Sequence, residues 1–201
     1  MTYFKQIMCA ALLGAVVAGC SVPAVLVLPD EIPEYITTYQ SRILSTKTKD
    51  VTCQLNLYNT VEEAKVGERT ISGKIEITQV YPIKEVVRSE FANVIAENFR
   101  SVQGNEQPKL EMKVETRKTI LTRDGDRQTF DLAVAIMLLD PRHEEKPYFS
   151  KVYSQKVNDY VYDEIYVPNI VYKAIQLSIK EFLNDVSADS SLVQWIEDLT
   201  K

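Results

Sequence analysis

The chain of 201 residues is short of what enzymes use. Its single histidine, His143, lies in the charged stretch Arg142-His143-Glu144-Glu145-Lys146, with no metal ligands or catalytic partners clustered around it. No Gly-x-Ser-x-Gly elbow, phosphate-cradling glycine loop, Cys-x-x-Cys pair or His-Glu-x-x-His helix occurs. Asp124-Gly125-Asp126 opens like a calcium loop, but the later oxygen ligands and the closing glutamate are missing, so a hairpin turn is the better reading. These absences predict a protein that is not an enzyme, with no metal and no cofactor. Positive charge is also scarce: 23 Lys and Arg face 28 Asp and Glu, for a net charge of −5. That excludes the basic footprint needed to release counterions from nucleic acid. No run reaches the roughly 20 apolar residues that cross a bilayer.

Cysteine is rare too, and its placement is informative. Of Cys9, Cys20 and Cys53, the last alternates with Val51, Leu55 and Leu57, which predicts a buried small hydrophobe. Cys20 closes an apolar stretch, Ile7 to Ala18, that follows the lone positive charge of Lys5. A basic start, about a dozen apolar residues and a small-residue cut site are the layout of a secretory signal. Here the small residues end in Val17-Ala18-Gly19-Cys20, which resembles the lipobox of bacterial lipoproteins. The resemblance implies that residues 1–19 are removed, that the Cys20 thiol receives diacylglycerol, and that the new amine is acylated. Two or three chains hold a protein at a membrane for practical purposes permanently, at about 0.8 kcal/mol per buried methylene. Ser21 stands where aspartate would favour inner-membrane retention in such lipoproteins, so sorting to the outer membrane, with the body facing the periplasm, is expected.

Residues 20–49 carry Pro23, Pro29 and Pro33 and end Ser/Thr/Lys-rich, the composition of a lipid-anchored tether. Residues 50–201 read as a single α+β domain. Strands are expected from Val51 and around Ile71 to Ile77, with a polar loop through Val66-Gly67-Glu68 between them. Pro82 opens a helix whose stripe runs Ile83, Val87, Phe91, Val94, Ile95, Phe99 and Val102, with Gly104 as its stop. Leu110 to Arg123 and Phe130 to Leu138 alternate on either side of Asp124-Gly125, a long hairpin whose second arm is apolar on both faces. A further strand follows at about Tyr148 to Val157. Val171, Ala174, Ile175, Ile179, Phe182 and Val186 mark another helix. A last one, capped by Asp189 or Ser190, carries Leu192, Trp195, Ile196 and Leu199. The order ββαβββαα predicts an antiparallel sheet of about five strands with helices mainly on one face.

Six tyrosines, Tyr148, Tyr153, Tyr160, Tyr162, Tyr166 and Tyr172, crowd one segment beside Asp159, Asp163 and Glu164. Tyrosine joins a large apolar ring to a polar tip, so this segment divides between core and contact surface. Tyr160, Tyr162 and Tyr166 are the candidates for a partner surface.

The run from Ala174 to Ile196, a striped helix followed by a short helix opening on Asp189-Ser190-Ser191-Leu192, resembles the end of the YajG family of bacterial lipoproteins. The order of lipobox, strands, helix, long hairpin, strand and helices is similar throughout. The layout also resembles PqiC-like auxiliary lipoproteins of envelope ABC-type transporters. The first resemblance implies no enzymatic activity, and with Cys20, Ser21, the tyrosine-rich segment and the lack of a catalytic constellation it points to a non-enzymatic outer-membrane lipoprotein that works through an envelope protein partner. The second implies an accessory of lipid or glycolipid transport, with an apolar groove between the last long helix and the sheet.

Overall fold

The computed structural model describes residues 24–25, 44–45, 47–69, 75–124, 127–143, 146–160 and 167–200. Eight strands appear among them: β1 (Ala24–Val25), β2 (Thr52–Leu57), β3 (Ala64–Arg69), β4 (Ile75–Tyr81), β5 (Arg100–Ser101), β6 (Leu110–Asp124), β7 (Arg127–Leu139) and β8 (Phe149–Tyr160). The helices are α1 (Ile83–Asn98), α2 (Val167–Ala188) and α3 (Ser190–Asp198), and a 3-10 turn, Lys47–Asp50, precedes β2.

The strands form two sheets, β5-β2-β6-β7-β8 and β1-β4-β3. The α+β class stands as expected and one sheet has five strands, but that sheet is mixed rather than antiparallel. The order ββαβββαα does not hold either: β1, β3 and β5 are additional, and the strand expected around Ile71 to Ile77 falls in β4 of the second sheet. The β6–β7–β8 meander is antiparallel, whereas β2 runs parallel to both β5 and β6. The reason is the crossover. β2 and β6 are separated by β3, β4, α1 and β5, and a connection of that length permits the parallel pairing that a tight turn forbids. The Val66-Gly67-Glu68 stretch is likewise not a loop. It lies inside β3, where a bulge between Val66 and Gly67 absorbs the irregularity that glycine introduces.

The long hairpin is fully formed. Asp124 pairs with Arg127 at its tip and Glu111 with Leu139 at its base, with one register shift at Thr116 to Lys118. Alternation decides which face is covered. Gln128, Phe130, Leu132, Val134, Ile136 and Leu138 are buried, and on the opposite face Thr129, Asp131, Ala133 and Met137 are half-buried. The helices close the first face. α2 lays Ala174, Ile175, Ile179, Phe182 and Val186 on the sheet, each at most 1 % exposed, and α1 contributes Val87, Phe91 and Val94. Phe182 sits edge-on to both Phe149 and Tyr153, at 5.7 and 6.4 Å between ring centres.

α1 ends earlier than its stripe suggests. Phe99 is already extended, at φ −135° and ψ 173°, and Arg100 N–H donates to Val51 O at 3.0 Å. Strand pairing with β2 therefore takes over from the helix at Asn98. Gly104, with φ +57°, serves the turn after β5 instead of capping the helix. The α3 cap is as expected, with Asp189 accepting from the backbone of Ser191 and Leu192.

Residues just before β2 are part of the folded body. Leu44 N–H donates to Asn98 Oδ1 at 2.9 Å, and the Thr48 hydroxyl, fully buried, donates to Asn98 O at 2.9 Å. Ser45 Oγ and Lys47 Nζ both reach Glu197 of α3, at 2.7 and 3.3 Å. One short segment thus ties the end of α1 to α3.

Candidate functional site

The groove anticipated between the last long helix and the sheet is closed: Ile175, Ile179 and Phe182 fill it completely. A depression of about 490 Å³ lies elsewhere, between α1 and the edge of β2, lined by the apolar Cys53, Leu55, Ala92, Ile95 and Val102 and by the polar Gln54, Ser101 and Glu106. Register explains why it is open. β5 covers only Thr52 and Cys53 of that edge among the described residues. Lys109 N–H donates to Thr52 O and Tyr58 N–H to Val114 O, so the even-numbered main-chain groups of β2 face β6. Val51 O instead accepts from Arg100. The odd-numbered groups, Leu55 and Leu57 among them, therefore point to the side that β5 leaves uncovered. A strand edge left uncovered among the described residues, beside a hollow of mixed polar and apolar lining, is the arrangement that accepts an extended chain as an added strand.

No reactive group completes the depression. The Cys53 thiol is buried, and burial pushes its pKa far above the ordinary value, so the thiolate is suppressed. At the rim Glu106 is held by a two-pronged pair with Arg100, at 2.6 and 3.1 Å.

The other polar clusters are structural. Asp140, 3 % exposed, holds Arg142 through both carboxylate oxygens, and the hydrogen bonds from Arg142 keep its pKa down at about 2. His143 leans on the same carboxylate at 3.4 Å, while its side chain stays largely in solvent, so it is the loop residue the sequence suggested. Between the helices, Gln176 Nε2 donates to Glu90 Oε2 at 3.1 Å; burial raises the Glu90 pKa. Among the described residues no group of three or more His, Cys, Asp or Glu could hold a metal ion, and no helix is long and apolar enough to cross a membrane.

The tyrosines divide. Tyr153 and Tyr172 are core residues, each 2 % exposed. Tyr148 is more than half exposed and stacks on Trp195 of α3 at 4.0 Å, an aromatic pair that sequence periodicity could not foresee. Tyr160 closes β8, its backbone paired with Arg127. Tyr162 and Tyr166 lie outside the described residues, as do Cys20 and Ser21. What sequence reading missed is the β2 edge; its only signal was the brevity of Arg100-Ser101 between a helix and a glycine turn.

No protein family and no curated protein matches the sequence. Solved structures do. A Xanthomonas campestris protein of the DUF330 family superposes with a TM-score of 0.50 at 9 % identity, over 75 % of this chain and 87 % of that one. The fold is shared with that protein. Two further similar structures are a Caulobacter crescentus protein described provisionally as a lipoprotein and a minor lipoprotein from Acinetobacter baumannii. The first has a TM-score of 0.43 at 8 % identity, over 77 % of this chain and 96 % of that one. The second has 0.35 at 13 %, over 68 % and 92 %.

Proposed function

We propose that this protein is an outer-membrane lipoprotein, held by an acylated Cys20, whose periplasmic α+β domain binds a partner and performs no chemistry of its own. The observation that carries the binding role is the β2 edge that β5 leaves uncovered beside a depression of mixed lining, because main-chain groups at Leu55 and Leu57 offer hydrogen bonds there. The lipobox at residues 17–20 supports the anchor, and Ser21 supports the outer-membrane address. Kinship with the YajG family rests on the pattern from Ala174 to Ile196.

A second reading rests on the resemblance of the layout to PqiC-like lipoproteins: an accessory lipoprotein of an envelope lipid or glycolipid ABC-type transporter. The two readings differ in the partner, a transporter complex in the second.

Density-gradient separation of membranes tests the address. Wild-type protein is expected with the outer membrane and Ser21→Asp with the inner membrane in an enterobacterial host. Identical distributions would remove Ser21 as the sorting residue.

A further inference from the structure

We propose that the three-stranded sheet β1-β4-β3 and the tip of the long hairpin face the bilayer, with α3 pointing away; this rests on the reading of Cys20 as the acylated anchor. The geometry begins with a leash. Only Ser21, Val22 and Pro23 separate Cys20 from β1, and four residue steps span at most about 14 Å. β1 is itself docked, pairing in parallel with β4 through Ala24 to Gln79 and Val25 to Val80. It is also the outermost strand of its sheet. The anchor is thus tied at short range to the edge of the domain.

The register says which end. Because β1 and β4 are parallel, stepping back from Ala24 toward Cys20 leads along β4 toward Ile75, its first residue. Ile75 pairs with Arg69, the last residue of β3. β3 follows β2 along β6. Thr60 Oγ1 donates to Val114 O, Val61 N–H to Thr116 Oγ1, and β3 packs against β6. The chain therefore advances toward Asp124, so the Arg69–Ile75 end lies with the β6–β7 tip. Tyr160 is at that end as well, paired with Arg127.

The opposite end carries α3. Lys109, just before β6 begins, donates through Nζ to Thr200 O at 3.0 Å. Tyr148, just before β8, stacks on Trp195. β6 is 15 residues long, which separates the two ends by roughly 45–50 Å. A leash of about 14 Å cannot serve both ends equally. The bilayer side is therefore the side of β1 and the hairpin tip, while α3 and the Tyr148–Trp195 pair are presented to the periplasm.

Energy transfer in vesicles tests this on the full-length, processed protein. Donor dyes are placed at Arg127→Cys or Gln194→Cys, both exposed positions, while buried Cys53 stays unlabelled. The vesicles are phosphatidylethanolamine and phosphatidylglycerol with an acceptor on a fraction of the headgroups. Only protein that floats with vesicles and carries the acyl mass is read. Transfer from position 127 is expected to exceed that from position 194 at least threefold. Replacing both β1 residues, Ala24→Pro and Val25→Pro, removes the N–H groups and should bring the two values together. Equal transfer in the acylated wild type, greater transfer from 194, or no change in the proline variant would overturn the orientation while leaving the anchor intact. Protein without acyl mass would overturn both.

Discussion

Tyr153 of β8 donates its hydroxyl hydrogen to Asp185 Oδ2 of α2 at 2.8 Å, and Lys151 Nζ reaches the same oxygen at 2.7 Å. Lys151 also lies 5.4 Å above the Tyr153 ring centre. The phenol is buried, and burial followed by the Asp185 hydrogen bond drives its pKa far upward, so it stays a donor. This contact fixes the last turns of α2 against the sheet. Removing the hydroxyl in Tyr153→Phe leaves Asp185 paired with Lys151, so the expected cost is about 1 kcal/mol. That corresponds to about 2–4 °C in Tm for a domain of this size. Phe182→Ala, which empties the space under Phe149 and Tyr153, should cost about 3–5 kcal/mol. Thermal melts of the two variants check the ratio; equal losses would contradict the assignment of Tyr153 as a modest pin.

Asn98 is the joint between the N-terminal segment and the domain. It accepts from Leu44, donates to Val94 O at 3.1 Å, and its carbonyl accepts from Thr48. Asn98→Ala leaves the half-buried Leu44 N–H and the Val94 carbonyl without their partner and is expected to destabilise by about 1–3 kcal/mol. A soluble domain starting at residue 50 should lose a similar amount relative to one starting at residue 42, because it lacks Leu44, Ser45, Lys47 and Thr48. Equal melting of the two domains would show that the segment contributes nothing.

Glu90 gives a pH signature. Its pKa is raised, first by burial, with Gln176 partly opposing and Glu97 adding to the rise. A carboxyl raised in the folded state binds its proton more tightly there than in the unfolded chain. Stability is therefore fully present below the unfolded pKa, near 4.5, and falls as pH rises through the folded value. Glu90→Gln keeps a partner for Gln176 and removes the charge. It should raise Tm by a few degrees at pH 7 and lose that advantage toward pH 4. A gain that persists unchanged at pH 4 would contradict the mechanism.

Periodicity made the β6–β7 hairpin, the α2 stripe and the α3 cap legible, because each rests on contacts within a few residues: Asp124 to Arg127 at the turn, Asp189 to Ser191 and Leu192 at the cap. The parallel pairing of β2 was not legible. It depends on partners far along the chain, Cys53 with Leu110 and Val51 with Arg100, and no local pattern records them. The same cause hid the end of α1, where a continuing apolar stripe lost to strand pairing. Tyr153 and Tyr148 show the limit for the candidate surface. Both are tyrosines within one segment, yet one is in the core and the other is exposed, and only the position of α2 and α3 separates them.

Address and orientation both depend on the acylated Cys20, and the mass of the mature N-terminal peptide tests that anchor. Full-length protein is isolated from membranes, digested, and its N-terminal fragment weighed, with Cys20→Ser in parallel. The expected fragment begins at Cys20 and carries a diacylglyceryl group and an amide-linked acyl chain, and the Cys20→Ser protein is expected to remain unmodified and uncut. An unmodified peptide running through Gly19-Cys20-Ser21 in the wild type, or acyl mass retained by Cys20→Ser, would contradict it.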